Sequence, residues 1–189
     1  MKSLTAFLDA NVLYPAGLRN LLVRLATQGL FQAKWSDSIH EEWMRNVLAD
    51  RPHITRAMLE RTRQLMDANV EDSLVQDYET LALQLTMPDP NDRHVLAAAI
   101  IGKADVIVTF NLRDFPASVL YRYGIEAQRP DAFIISLMDM DRVGVCVAAN
   151  KHRLSLKNPP KTVHDYLAIL ERQGLTGTVA RLRESASFI

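Results

Sequence analysis

The chain has 189 residues, 48% of them apolar, and a formal net charge of zero. This length and composition predict one main domain with a packed core and allow an appendage. The longest apolar runs, at 95–101 and 143–149, are too short to span a bilayer. A signal peptide is not expected either, because Asp9 and Asn11 fall where its apolar core would have to be.

The single cysteine, Cys146, excludes an intramolecular disulfide and any multi-cysteine zinc site. Its neighbours in Val-Gly-Val-Cys-Val favour a small buried hydrophobe over a reactive thiol. We therefore expect a cytoplasmic protein without a membrane partner. The net charge of zero neither supports nor excludes a nucleic-acid partner.

Strands and helices are predicted to alternate along the first half of the chain. An apolar strand at 4–8 ends before Asp9, and a helix at 18–28 is ended by Gly29. A second strand is predicted at 30–35, followed by a helix from Ser38 to about Ala49. Helices at 56–68 and 76–85 follow, with a short strand near Val70.

The breakers at 87–90 precede a predicted helix at 91–103. The stretch 105–109 is the clearest strand, because it is rich in β-branched residues. A short helix at 117–123, a strand at 125–128 and a helix at 131–138 complete the pattern. This alternation predicts an α/β fold, a three-layer α/β/α sandwich around a parallel sheet.

The tail has a different character. We assign residues 1–139 to the α/β domain and 140–189 to a helical C-terminal extension, with helices after Thr162 and after Gly174. Five basic residues and no acid occupy the stretch 142–161: Arg142, Lys151, Arg153, Lys157 and Lys161. This stretch could follow an RNA phosphate backbone, with Lys151 and Arg153 as contacts, or it could be a solvated helix and loop. The sequence favours neither interpretation.

Several polar residues follow predicted strands. Asp9 comes directly after the first strand, Thr109 ends the clearest strand, and Asn111 and Asp114 lie in the loop beyond it. Ligands of open parallel sheets bind at the carboxyl ends of the strands, so these groups should converge if the two strands are neighbours. The alternative for Asp9 is that it only caps the following turn.

The helix at 38–49 distinguishes two adjacent glutamates. Its apolar stripe consists of Ile39, Trp43 and Val47. A turn of ~100° per residue places Glu42 beside that stripe and Glu41 on the opposite, solvent-facing side. Ser38 and Glu41 also fit a capping box, which gives Glu41 a structural role. Glu42 is therefore predicted to point to the edge of the core, where a carboxylate without a cation or hydrogen bonds is costly.

Asp92 has two interpretations. Asp89 and Pro90 fit the N-cap and first position of the next helix, so Asp92 would lie at the third position, where an acid suits the helix dipole. Asp92 also shares a face with the apolar residues at 95–99, which directs it inward at the level where strands end. We expect Arg93 to be a phosphate contact or a surface charge, and His94 to be a surface histidine.

Four carboxylates in one place would repel one another and would suit Mg²⁺ or Mn²⁺ better than zinc. Two such ions ~4 Å apart could assist phosphodiester hydrolysis, with Thr109 and Asn111 orienting water or phosphate.

The motifs of other enzyme classes are absent from the sequence. The sequence has no glycine-rich phosphate loop and no G-x-S-x-G, and Met44 occupies the position of the second histidine of H-E-x-x-H.

Four segments in order resemble PIN domains and, among them, VapC-type toxin ribonucleases. They are Phe-Leu-Asp-Ala-Asn-Val-Leu at 7–13, Ser-x-x-Ile-x-x-Glu at 36–42, Pro-Asp-Pro-Asn-Asp-Arg-His-Val-Leu-Ala-Ala-Ala at 88–99 and Ala-Asp-Val-Ile-Val-Thr-Phe-Asn-Leu-Arg-Asp-Phe-Pro at 104–116. The resemblance covers roughly residues 3–138. It implies an α/β/α sandwich that uses Mg²⁺ or Mn²⁺ to cleave RNA endonucleolytically.

The resemblance also implies residue roles and partners. The four acids of the family correspond to Asp9, Glu42, Asp92 and Asp114, and the supporting positions to Asn11 and Thr109. Many relatives have an aspartate where this chain has Asn111, so the fourth acid depends on Asp114 and tight binding of a second metal is in question.

The family further implies a homodimer and a small antitoxin. The alternatives are an RNA-processing nuclease without an antitoxin and an RNA-binding module with little turnover. A magnesium phosphatase is disfavoured, because the first strand lacks Asp-x-Asp.

Overall fold

The computed structural model describes residues 4–189 and contains a five-stranded parallel sheet with the strand order β3-β2-β1-β4-β5. The strands are β1 (Thr5–Leu8), β2 (Gln32–Ser36), β3 (Leu74–Val75), β4 (Val106–Val108) and β5 (Glu126–Gln128). The central strand β1 pairs with β2 on one side and with β4 on the other. This topology confirms that the two strands carrying the predicted polar groups are neighbours.

Helices connect the strands and continue beyond them. They are α1 (Ala10–Leu13), α2 (Ala16–Thr27), α3 (Asp37–Asp50), α4 (Arg56–Asn69), α5 (Glu79–Gln84), α6 (Arg93–Ile101), α7 (Ala117–Leu120), α8 (Pro130–Ser155), α9 (Val163–Arg172) and α10 (Thr176–Arg183). Short 3₁₀ turns occupy Pro90–Asp92, Leu112–Asp114, Tyr121–Tyr123 and Ala186–Phe188.

The chain moves from β1 to β2 and β3 on one side, then crosses to β4 and β5 on the other side of β1. Since crossovers between parallel strands are right-handed, α2 and α6 cover opposite faces of the sheet. The central strands β1 and β4 are buried throughout, as Phe7, Leu8 and Ile107 illustrate. The predicted three-layer sandwich is therefore confirmed, and its ligand crevice is expected where the chain changes direction, between the ends of β1 and β4.

Several predicted boundaries were wrong. The short strand expected near Val70 lies at Leu74–Val75, because α4 extends to Asn69. The helix expected at 76–85 is shortened to α5. The largest error concerns the helix expected at 131–138, which continues as α8 to Ser155 across a non-helical residue, Asp141 (φ −148°, ψ 82°). Burial of the apolar stretch after that break, including Val145 and Ala148, keeps the second part of α8 on the core.

The predicted division of the chain between residues 139 and 140 falls within α8, close to the break at Asp141. That division stays a prediction. The expected burial of Cys146 is confirmed. Within residues 4–189, no helix combines the length and apolarity that crossing a membrane would require.

The carboxylate of Asp131, in the first turn of α8, fastens the C-terminal helices to the sheet domain. It accepts hydrogen bonds from the backbone N–H groups of Gly177 and Thr178 at 2.9 and 2.8 Å, and so caps the start of α10. Gly177 has no side chain, and a Cβ there would lie 2.7 Å from Cδ1 of Ile135. This capping contact has no local sequence signal, because it joins residues 46 and 47 positions apart.

Replacement of Asp131 with alanine should destabilise the protein, because two N–H groups at the start of α10 lose their acceptor. We expect the free energy of unfolding in urea to fall by about 1–2 kcal/mol, as for other helix caps. The matched control is Asp139→Ala on the same helix, where an exposed carboxylate pairs with Arg181 and should contribute little. Equal effects of the two substitutions would contradict the capping role.

Candidate active site

Asp9 lies at the carboxyl end of β1, at the centre of the sheet edge, and only 6% of its surface is exposed. Its Oδ1 accepts a hydrogen bond from the backbone N–H of Ala10 at 2.7 Å, which caps α1. Its Oδ2 accepts from Asn11 Nδ2 and from Thr109 Oγ1, both at 2.7 Å. Asp9 therefore does cap the turn that follows it, through Oδ1. Its other oxygen, Oδ2, faces the residues that follow β4.

A continuous set of hydrogen bonds links the ends of β1 and β4. The Thr109 hydroxyl accepts from Asn11 Nδ2 at 2.9 Å and from the backbone N–H of Asn111 at 3.0 Å. Asn11 Oδ1 accepts from the N–H of Phe110 at 3.0 Å, and Asn111 Nδ2 donates to a carboxylate oxygen of Asp114. The three positions predicted to support the site thus connect Asp9 to Asp114 through side chains and the loop after β4.

The third helix supports the predicted distinction between the two glutamates. Glu41 is exposed (49% of its side chain) and forms an ion pair with Arg56 at 2.6 Å. Glu42 is less exposed (36%) and lies beside the buried stripe of α3. The predicted capping box was wrong, because the N-cap is Ser36, whose hydroxyl accepts from the N–H of Ile39 at 3.3 Å. The helix begins two residues early because it follows β2 without a loop.

Asp92 reaches the cleft from a different local structure than predicted. Asp89 caps a separate 3₁₀ turn, accepting from the N–H of Asn91 at 2.8 Å. Asp92 ends this turn and is the N-cap residue of α6, but its side chain accepts no capping hydrogen bond. Because the proline starts a tighter turn, Asp92 precedes the α-helix instead of lying inside its first turn. Its carboxylate is left to face the other acids.

These elements form an open cleft of about 710 Å³ at the carboxyl edge of the sheet. Three of the four predicted acids line it, namely Glu42, Asp92 and Asp114, together with Asn111. The fourth, Asp9, is buried below them and is close enough for its charge to act on both Glu42 and Asp92. The structure therefore brings the four predicted acids to one end of the sheet.

Seven further residues line the cleft that were not assigned to it from the sequence: Asp37, Ser38, Glu41, Arg45, Asp89, Asn91 and His94. Arg45, one turn after Glu42 on α3, lines the cleft and has no ion-pair partner in the described part of the chain. His94 was predicted to be a surface histidine, but it also lines the cleft, and its Nε2 lies 3.8 Å from Glu42. Burial lowers the pKa of His94, so it is neutral at pH 7. The spacing from Glu42 to Arg45 could have indicated Arg45, whereas His94 follows a 3₁₀ turn that was not predicted.

The acids of the cleft hold their protons more tightly than usual. Burial, followed by the charges of Asp9 and the other acids, raises the pKa of Asp92 to about 7. Burial and the charge of Asp9 raise the pKa of Glu42, which Arg45 partly opposes. Burial also raises the pKa of Asp9, although the hydrogen bonds from Thr109, Ala10 and Asn11 act in the other direction. Burial and mutual repulsion both favour a bound cation here.

The donor set of the cleft fits a hard divalent cation. Its charged donors are carboxylate oxygens, and no Lys or Arg within residues 4–189 forms an ion pair with Asp9, Asp92 or Asp114. In the same range, no three His, Cys, Asp or Glu side chains already have the spacing of a metal site. Mg²⁺ commonly retains several waters and takes only one or two carboxylates directly, so a magnesium site does not require three protein ligands on the ion.

The three predicted RNA contacts lie outside this cleft. Arg93 is half-buried at the start of α6, and its Nε has no hydrogen-bond partner among the described residues. Lys151 donates to Oε1 of Gln28 at 2.9 Å, at the end of α2 that is distant from Asp9. Arg153 donates to the carbonyl of Lys161 at 2.9 Å. Their contact with RNA stays a prediction.

Comparison with known proteins identifies the family. The model of the PIN domain matches residues 5–113, more than half of the chain. The chain belongs to the PIN domain family. The matched part of this PIN domain includes Asp9, Glu42 and Asp92 and stops one residue before Asp114. The resemblance inferred from the four motifs is thereby confirmed.

A second family model, described as the VapC50 C-terminal domain, matches residues 130–184 and so begins where α8 begins. A curated Mycobacterium tuberculosis protein named "Putative ribonuclease VapC50" is 39% identical over 82 residues, which are 43% of this chain and 48% of that protein. The match therefore spans about half the length of that relative. Among solved structures, the comparison found no match.

The raised pKa of Asp92 predicts how metal-free protein responds to pH. The folded protein retains a proton on Asp92 up to about pH 7, whereas the unfolded chain loses it near 3.8. The native state thus holds more protons across this range, and the contribution of Asp92 to the free energy of unfolding should fall as pH rises through it. A ¹³C-carboxylate NMR titration in EDTA, with urea unfolding at several pH values, measures both effects.

Asp9→Asn should lower the midpoint of Asp92, because it removes the strongest neighbouring negative charge. Asp139→Asn, an exposed acid outside the cleft, is the control and should leave that midpoint unchanged. An Asp92 that titrates near 3.8 in all three proteins would show that the acids do not interact.

Proposed function

We propose that this protein is a divalent-metal-dependent endoribonuclease that hydrolyses RNA phosphodiester bonds. The observation that carries the proposal is that Glu42, Asp92 and Asp114 line one cleft directly above the buried Asp9, and that no lysine or arginine of the described chain pairs with Asp9, Asp92 or Asp114. Membership in the PIN domain family and the name of the Mycobacterium tuberculosis relative support RNA as the substrate.

The four acids would hold Mg²⁺ or Mn²⁺, and each is positioned by its own element. Hydrogen bonds from Thr109 and Asn11 fix Asp9, and Asn111 fixes Asp114. A bound divalent cation would supply a water of lowered pKa and neutralise charge that develops on the phosphate oxygens. Arg45, at the wall of the cleft, would bind a phosphate of the RNA.

Two properties of the whole protein are also part of this proposal. The match to the VapC50 C-terminal domain and the relative's name support a toxin of a type II toxin–antitoxin pair, with a small antitoxin as its partner. We further propose that the protein acts as a homodimer, as the family resemblance implies. Size-exclusion chromatography of the protein alone tests the homodimer, and co-expression with the product of any small neighbouring gene, followed by the same measurement, tests the antitoxin.

Asp9→Asn should abolish cleavage of a defined RNA in Mg²⁺ or Mn²⁺, because it removes the buried charge that the other three acids surround. We expect a loss of more than about a hundredfold, since substitutions of outer-shell partners alone typically cost 10–100-fold. EDTA should abolish the activity of the wild type. Asp139→Asn should cleave normally. A folded Asp9→Asn protein that cleaves at the wild-type rate would refute the proposal.

The adjacent glutamates of α3 provide a matched pair of variants. Glu42→Gln should reduce cleavage by at least about tenfold, because Glu42 lies near Asp9 and is within reach of a shared cation. Glu41→Gln should retain most activity, because Glu41, which also lines the cleft, is already paired with Arg56. Cleavage rates of the two variants over a Mn²⁺ titration distinguish these outcomes. Equal losses would mean that the orientation of α3 does not select one glutamate.

The basic residues of α8 can be tested by salt dependence. If Lys151 and Arg153 both contact phosphates, replacing both with glutamine should reduce the slope of log affinity against log salt by about 1.4, twice the ~0.7 of one single-strand contact. Lys151 lies near the end of α2 that is distant from Asp9. The reduced salt slope should therefore be measured with long RNA and not with an RNA short enough to bind only in the cleft. Fluorescence anisotropy with catalytically inactive Asp9→Asn provides the measurement.

A further inference from the structure

A second cavity lies between α2, α4 and the second part of α8. Its volume is about 460 Å³, and it shares no lining residue with the acidic cleft. Side chains from the sheet domain and from the helical extension both line it. It is therefore a separate feature of the molecule, located at the junction of the two matched regions.

The cavity contains a cation without an anion. Arg24, on α2, is half-buried in its wall. Within residues 4–189, the guanidinium of Arg24 has neither an ion-pair partner nor a hydrogen-bond acceptor, and no aspartate or glutamate lines the cavity. A partly desolvated guanidinium is stabilised by a carboxylate or phosphate, whose geometry matches its planar set of donors.

A buried histidine is the second, independent feature. His152, on α8, lines the same cavity and is only 2% exposed. Its Nδ1 lies 3.0 Å from the Tyr166 hydroxyl, and its Nε2 has no partner in the described chain. Burial raises the pKa of Tyr166, so the phenol stays protonated and can donate to Nδ1. Nε2 would then carry the ring proton and point away from Tyr166 as an unused donor.

The charges of these residues indicate that they are close together. Burial, with a further contribution from the Arg24 charge, lowers the pKa of His152 to about 4. The imidazole is therefore neutral at pH 7, and the positive charge of the cavity belongs to Arg24 alone. The Arg24 guanidinium and the Nε2–H group of His152 are thus an unpaired cation and an unpaired neutral donor beside one cavity. Together they could bind one anionic oxygen group.

We propose that this cavity binds a small organic anion, through a phosphate or carboxylate group placed between Arg24 and the Nε2 side of His152. The other walls suit the carbon skeleton of such a molecule, because they combine the apolar side chains of Leu65 and Met66 with the Thr62 hydroxyl. The proposal does not depend on the ribonuclease activity, since no residue of the acidic cleft takes part.

The binding test uses the full-length protein in EDTA, so that no cation in the cleft can attract the probes. Inorganic phosphate and citrate are titrated separately against protein with ¹³C-labelled methionine methyl groups, at constant ionic strength. We expect the Met66 methyl resonance to shift to saturation, whereas Met138, buried elsewhere, should not shift. The two probes distinguish phosphate from carboxylate as the preferred group.

Arg24→Gln should weaken the binding by about tenfold or more, as expected for a charge-assisted hydrogen bond. The matched control is Arg172→Gln, which removes the same charge at an exposed position of α9 outside the cavity and should leave the affinity unchanged. Equal weakening in the two variants would overturn the proposal, because it would indicate only general attraction to a positive surface.

Leu65→Glu gives a test that does not remove Arg24. Leu65 is partly exposed at the cavity, so a glutamate there can supply the missing carboxylate within the chain. We expect this variant to fold, to have a higher thermal midpoint than wild type without ligand, and to lose binding of both probes. Absence of a saturable Met66 shift in the wild type with either probe would overturn the proposal, as would a shift that Leu65→Glu retains.

Discussion

The hydrogen bond from the Thr109 hydroxyl to Asp9 is the interaction on which the site depends. A carboxylate at 6% exposure is costly unless donors surround it, and here three donors reach its two oxygens. One of these donors directly follows β4 and two follow β1, so the arrangement requires the two strands to be parallel neighbours in register. The sheet order thus has a chemical consequence as well as a topological one.

The same buried charge determines the behaviour of the surrounding acids. It raises the pKa of Glu42 and of Asp92, which approach it from α3 and from the 3₁₀ turn before α6. Among residues 4–189, Arg45 is the one lysine or arginine that lines the cleft, and the nearby His94 is neutral. A chain with no net charge therefore has a concentrated negative site, because the other lysines and arginines of this range lie elsewhere. This explains why the overall charge gave no information about the partner.

The parts of the site that could be predicted from the sequence are those set by local periodicity. Asp9 and Thr109 were found because strands end abruptly at polar residues, and Glu42 was distinguished from Glu41 by the apolar stripe of one helix. The predicted start of α3 and the predicted helix at Asp92 were wrong, because the length of a junction depends on how neighbouring elements dock. The predicted location of His94 was wrong for the same reason, since a 3₁₀ turn rotates the residues that follow it relative to an α-helix.

Tertiary burial explains the remaining discrepancy, the length of α8. The helix was expected to end near Met138, but its second part packs on α2 and carries buried side chains such as Val145 and Ala149. Arg24 and His152 lie on these two packed helices, and neither has a sequence signal of its own. A cavity formed by residues more than a hundred positions apart can be recognised only when the packing is known.

The C-terminal helices also touch the elements that hold the acids. A side chain at Gly17, in the first turn of α2, would collide with the amide of Gln173, and Cε1 of Phe110 lies 3.8 Å from where a Cβ of Gly174 would be. Phe110 is the residue whose N–H is bound by Asn11, directly after Thr109. The turn between α9 and α10 therefore lies beside the loop that follows β4, while Asp131 holds α10 to the start of α8. The C-terminal helices thus pack close to the loop that positions Asp9 as well as on α2, because α8 and α9 both contact that helix.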